Sequence, residues 1–133
     1  MSTRLAVRFV ADCDKTRARG LMFASPLEQN EIALFVFPHS ERHAFWNKNV
    51  EFPLDLAFLD ENGKVVDLKN LEAQSESSVR PDSAARFVVE ASHGTFDRLN
   101  VSMGDYLLYE GSNMTVIYAN SQVKTANTYK INN

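Results

Sequence analysis

The sequence predicts a mainly β (α+β) domain: a small barrel-like or strongly curved antiparallel sheet with one or two short helices. Three observations carry this expectation. Short apolar runs recur along the chain with turn residues between them, at lengths suited to strands. Asn62-Gly63 sits between two such runs, a strong hairpin signal because both residues tolerate positive φ. About seven short strands in so small a chain would leave exposed edges unless the sheet curves back toward itself.

The chain has 133 residues, enough for one domain with a real core. It is 44% hydrophobic and 23% charged with only 5 Gly and 4 Pro, which argues for a globular chain over a disordered one. A net charge of -3 disfavours nucleic acid as a partner, since phosphate contacts need clustered Lys and Arg. Arg4, Arg8, Lys15, Arg17 and Arg19 make the N-terminal part basic, but Asp12 and Asp14 interrupt them, the pattern of a solvated surface. No apolar stretch is long enough to cross a membrane, so no membrane partner is expected. The apolar residues at the N-terminus alternate with Arg, a strand pattern and not a signal-peptide core. The expected location is the cytoplasm, or a particle assembled there.

The elements follow in order. Residues 5–11 alternate as a first strand. Asp12 or Asp14 can cap a helix starting near Lys15, and Gly20 can end it. Ser25-Pro26 suggests the cap and first position of one more helical turn, SPLEQ. IALFVF, residues 32–37, is a buried strand; PHSER turns and HAFWN returns, so residues 32–47 are expected to form a hairpin. LDLAFLD and KVVDL form the Asn-Gly hairpin, with Leu54, Leu56 and Phe58 on one face and Asp55, Ala57 and Leu59 on the other. Residues 72–83 are a polar loop ending near Pro81. ARFVVEA is a strand with Phe87 and Val89 inward and Arg86 and Glu90 opposite. GTFDRLN can make a short helix, and YLLYE, GSN and MTVIYA a last hairpin. Residues 1–110 are assigned to the β domain; residues 111–133 are assigned to a C-terminal strand and polar tail that contacts a partner.

Five blocks occur in sequence: RARGLMF (17–23), LFVFP (34–38), FWNKNVEFPLDLAFLDENGKVV (45–66), RFVVEASHG (86–94) and MGDYL (103–107). Together they resemble the domain of unknown function 192 family, small β-rich proteins of bacteria and archaea. The likeness spans roughly residues 5–110 and is specific because the blocks are ordered. Phe45, Trp46, Lys48, Asn49, Pro53, Leu54 and Asp55 match the family signature; Asn47 stands where the family has Met, and Val50 where it has Thr. Ile32-Ala33 replaces a Gly-Met pair before Leu-Phe. The resemblance implies a fold and no particular reaction.

The candidate ligand-binding residues are Trp46, Lys48, Asn49 and Asp55, with Arg19 and Glu90 from other blocks. An indole wall with Lys, Asn and carboxylate groups around it suits a polar ligand. The competing reading is structural: Asn49 takes a positive φ in a turn, Asp55 accepts backbone N–H groups, and Lys48 pairs with Asp55 or Glu90. Trp46→Ala would cost roughly 3–5 kcal/mol if the ring were buried. His39 and His43 are four apart, but Pro38 and the expected turn argue against a helix that would present both to a metal. Cys13 is the only cysteine; its neighbours Asp12 and Asp14 should raise a thiol pKa, which disfavours a nucleophile. No catalytic residues, metal or cofactor are expected. Two functions remain. The first is a non-enzymatic structural or assembly subunit, of a virus particle or another large complex, with a protein partner or a second copy held through the C-terminal tail. The second is a binding module for a polar small molecule or a peptide at Trp46–Asn49.

Overall fold

The computed structural model describes residues 3–119. Seven strands and two short helices follow one another: β1 (Thr3–Ala11), α1 (Asp14–Arg19), β2 (Glu31–Glu41), β3 (Leu54–Leu59), β4 (Val65–Leu71), β5 (Ala85–Ser92), α2 (Thr95–Arg98), β6 (Tyr106–Glu110) and β7 (Asn113–Ile117). They form one sheet in the order β4-β3-β5-β2-β1-β7-β6. The sheet curls into a half-barrel, and its two edges meet at one end, where Lys64 bridges Tyr106. Gly63 makes that meeting possible. Its φ is +84°, and a Cβ there would lie 2.9 Å from the Leu107 carbonyl oxygen.

The mainly β, strongly curved architecture is the expected one. One pair departs from the antiparallel rule: β1 and β2 run parallel, joined by the crossover that contains α1. A bulge between Val7 and Phe9 turns Arg8 toward that crossover. Its guanidinium donates to the Ser25 and Pro26 carbonyls and to Glu31. Those bonds hold residues 24–28 in irregular structure, so the helical turn expected at SPLEQ does not form. The cap of α1 also differs by one position: Cys13 is the N-cap, and its N–H donates to the Thr16 hydroxyl. Gly20 ends the helix at a φ of +51° as expected.

The expected hairpin over 32–47 is not present. β2 continues through Pro38 to Glu41 and pairs with β5, not with residues 43–47. Pro38 is tolerated because the ladder is interrupted between Val36 and Glu41, where its missing N–H costs no sheet bond. Arg17 and Arg86 donate to the Val36 and Phe37 carbonyls in that gap. The strand MTVIYA also behaves differently from a separable extension. β7 lies between β1 and β6 and is paired on both edges, so the sheet continues past residue 110. The remainder of the proposed partner-contacting tail, residues 120–133, lies outside the described residues.

Both faces of the sheet are covered. Leu5, Ile32, Leu34, Leu59, Val89 and Met114 fill the concave side, with Phe96 and Val101 over its mouth. Ala33, Phe35, Leu56, Phe58 and Val88 lie on the convex side beneath Leu21, Phe45 and Val50. This is why β3 is buried at every position, with Leu54, Leu56 and Phe58 on one face and Ala57 and Leu59 on the other, as the alternation required.

Candidate functional site

The segment 44–50 has no regular ladder to hold it, so side chains and turn bonds do so. Phe45 exchanges both backbone hydrogen bonds with Val79 and packs its ring edge-on against Phe35 and Phe58. Asn47 is only 1% exposed. Its Nδ2 donates to the carbonyls of Phe52 and Glu72, and its backbone N–H donates to Ser75. The Val50 N–H closes the turn onto the Asn47 carbonyl, with Asn49 at a φ of +60°. Asn47-Lys48-Asn49 is therefore a turn clamped to the 72–79 loop, and Asn47 is its anchor.

Between this turn and α1 lies a cavity of about 310 Å³. Phe35, Phe37, Phe45 and Leu21 supply its apolar lining. Trp46, 43% exposed, stands at the opening with the Lys48 ammonium 5.4 Å from its ring centroid. Arg19 reaches the same cavity from the end of α1. Arg17 is committed elsewhere, bonded to Asp14 and to the Val36 carbonyl and set over the Phe37 ring.

Glu90 also lines the cavity. It is 4% exposed and sits on β5 opposite Ala33 and Leu56. Among the described residues nothing hydrogen-bonds to its carboxyl or forms an ion pair with it. Burial alone pushes its carboxyl up to about 8, so near neutrality it is mostly a neutral acid. The chemistry available is thus a buried protonatable carboxyl, an aromatic wall, and two cations at the mouth.

Four of the six expected ligand-binding residues, Arg19, Trp46, Lys48 and Glu90, come together here. Two do not. Asn49 is not among the lining residues; it serves the turn, and its carbonyl accepts the Phe23 N–H. Asp55 is on the opposite face of the sheet, because it neighbours Ala91 in the ladder while Glu90 neighbours Leu56. There it accepts the N–H groups of Gly94 and Phe96 and lies 3.1 Å from His93 Nδ1. It therefore fixes the entry to α2. Lys48 consequently pairs with neither Asp55 nor Glu90. Asn47 was the residue that sequence reasoning missed, although an Asn standing where the family signature has Met, directly after Phe45-Trp46, was the available signal. Cys13 is exposed and does not line the cavity; hydrogen bonds from Thr16 lower its thiol pKa, against the effect expected of Asp12 and Asp14. His43 stacks on Phe37 at 3.6 Å and its Nε2 contacts the His39 carbonyl, an arrangement that packs the ring.

A family model for the DUF192 proteins, described as "Uncharacterized ACR", matches residues 2–109. The chain belongs to the DUF192 family. Among its relatives, a UPF0127 protein of Pyrococcus furiosus is 33% identical over 109 residues, covering 78% of this chain and 86% of that protein. A UPF0127 protein of Thermococcus sibiricus is 31% identical over 106 residues, covering 76% of this chain. The match spans only 64% of the Thermococcus protein's length. A crystal structure from Sinorhizobium meliloti, named as a candidate transcription regulator, superposes with a TM-score of 0.73 at 27% identity. That likeness covers 80% of this chain and 92% of the other. No helix among the described residues is long and apolar enough to cross a membrane.

Proposed function

We propose that this protein is a small binding module that takes a polar small molecule in the cavity beside Trp46. The observation that carries this reading is Glu90. A carboxyl buried without a partner costs stability, and such costs concentrate where a ligand is met. The volume, near 310 Å³, suits a ligand of modest size, and the lining joins apolar walls to a few polar groups in the manner of small-molecule sites.

The assembly reading has less to support it. β7 offers no free edge to a partner strand, and the tail residues 120–133 are outside the described part of the chain. A regulator role, the one named for the Sinorhizobium protein, would make this cavity an effector site. A net charge of -3 gives little support to direct phosphate-backbone binding. The cytoplasm is the compartment proposed with the binding reading.

The test is a ligand-observed NMR screen of small carboxylates, phosphates, amino acids and sugars against wild type, Lys48→Ala and Arg19→Ala. The expected result is a ligand whose affinity falls about tenfold or more in at least one variant, the loss of one charge-assisted contact. Absence of binding from every class, or binding indifferent to both substitutions, would refute the reading.

A further inference from the structure

The chemistry of the occupant can be named more closely, on the reading that this cavity is a binding site. Two buried groups around it lack a hydrogen-bond partner. Both Nδ2 hydrogens of Asn47 are used by the Phe52 and Glu72 carbonyls, so its amide cannot turn over without losing them. Its Oδ1 is buried and has no partner. The Glu90 carboxyl is the second, flanked across the ladder by Ala33 and Leu56. At the mouth the sign reverses. Arg19 and Lys48 are exposed, and neither forms an ion pair with a carboxylate among the described residues.

We propose that the cavity binds a small zwitterion, of the class of a free α-amino acid, with its ammonium turned inward to Glu90 and its carboxylate outward to Arg19 and Lys48. An ammonium carries three N–H donors, enough for both oxygens of the Glu90 carboxylate. Its side chain would lie along Trp46 and Phe45, which line the same space. A simple anion would satisfy the mouth and leave the Glu90 carboxyl without a charge partner.

Proton linkage follows from this arrangement. The charged groups around Glu90 are Asp14, Arg17 and Arg19 of α1 and Lys48 of the turn, while β2 and β3 present Ala33 and Leu56. In the free protein the carboxyl keeps its proton to about pH 8. An ammonium beside it favours the carboxylate, so binding near pH 7 releases a proton. Affinity should rise by roughly eightfold between pH 7 and 8.5, as the ionised fraction grows from about a tenth to about three quarters.

The experiment is isothermal titration of the full chain with the twenty free L-amino acids at pH 7, in two buffers of different ionisation enthalpy. The strongest binder is then compared with its decarboxylated amine and its deaminated acid, on wild type, Glu90→Gln and Lys48→Ala. The expected result is an amino acid that binds about tenfold or more tightly than either analogue and releases a proton. Glu90→Gln should weaken the amino acid and its amine while leaving the deaminated acid unchanged; Lys48→Ala should weaken the amino acid and the acid. If the deaminated acid binds as well as the amino acid, the zwitterion assignment is wrong and the binding module stands. If no amino acid binds, the assignment also fails; if the carboxylates, phosphates and sugars of the NMR screen fail as well, both readings fall.

Discussion

Replacing Glu90 with Gln removes an ionisable group from the sheet while keeping its shape. In the unfolded chain the carboxyl loses its proton near its ordinary 4.5; in the folded chain burial delays this to about 8. Below 4.5 both states hold the proton and the group adds no pH dependence. Between 4.5 and 8 the folded state holds a proton that the unfolded state has released, so stability falls as pH rises. The slope is about 1.4 kcal/mol per pH unit, which accumulates to roughly 3 kcal/mol by pH 7 and about 5 kcal/mol above pH 8. Glu90→Gln does not titrate and escapes this loss. Wild type and variant should therefore unfold at similar urea concentrations near pH 4.5, with the variant ahead by several kcal/mol at pH 8. Urea melts of both proteins at pH 4.5, 6, 7 and 8 measure the difference directly, and the other carboxylates cancel between them. Parallel stability curves, or a variant less stable than wild type at pH 8, would refute the reasoning.

Three further substitutions separate anchoring from binding. Trp46→Ala should cost about 1 kcal/mol or less, because the ring is 43% exposed, so the larger loss expected of a buried ring does not apply; chemical denaturation checks it, and a small cost makes this variant a usable ligand probe. Asn47→Ala should cost about 2–4 kcal/mol, since it strips donors from the Phe52 and Glu72 carbonyls, and the same melts would report it. Gly63→Ala should cost about 2 kcal/mol or more, because it combines a positive φ with a Cβ 2.9 Å from the Leu107 carbonyl oxygen; hydrogen exchange at Val65 and Leu107 should rise most, as their amides bond across that seam.

Much of the fold was legible where a local pattern has one physical solution. Apolar alternation placed β3, with Leu56 and Phe58 on one side and Ala57 and Leu59 on the other. The Asn62-Gly63 hairpin and the Gly20 helix stop rest on the same kind of local constraint. The errors arose where a residue's usual local preference was outweighed by a distant partner. Pro38 suggested a turn, yet a break in the β2–β5 ladder accommodates it in a strand. SPLEQ suggested a helical turn, yet Arg8 of β1 takes two of its carbonyls. Of the candidate site, Trp46 and Lys48 were visible as neighbours in a turn, whereas the separation of Asp55 from Glu90 depends on the ladder register between β3 and β5.

The sequence by itself determined the strand periodicity, the main turns and the membership of a β-rich family, because each depends on interactions a few residues long or on ordered blocks. Only the tertiary structure decided which polar residues share a cavity. Side chains one position apart on neighbouring strands point to opposite faces, so Glu90 lines the same cavity as Arg19 and Lys48 while Asp55 caps α2. The unusual carboxyl of Glu90 likewise belongs to the fold: its raised pKa comes from the apolar strands packed around it, a property no single stretch of sequence contains.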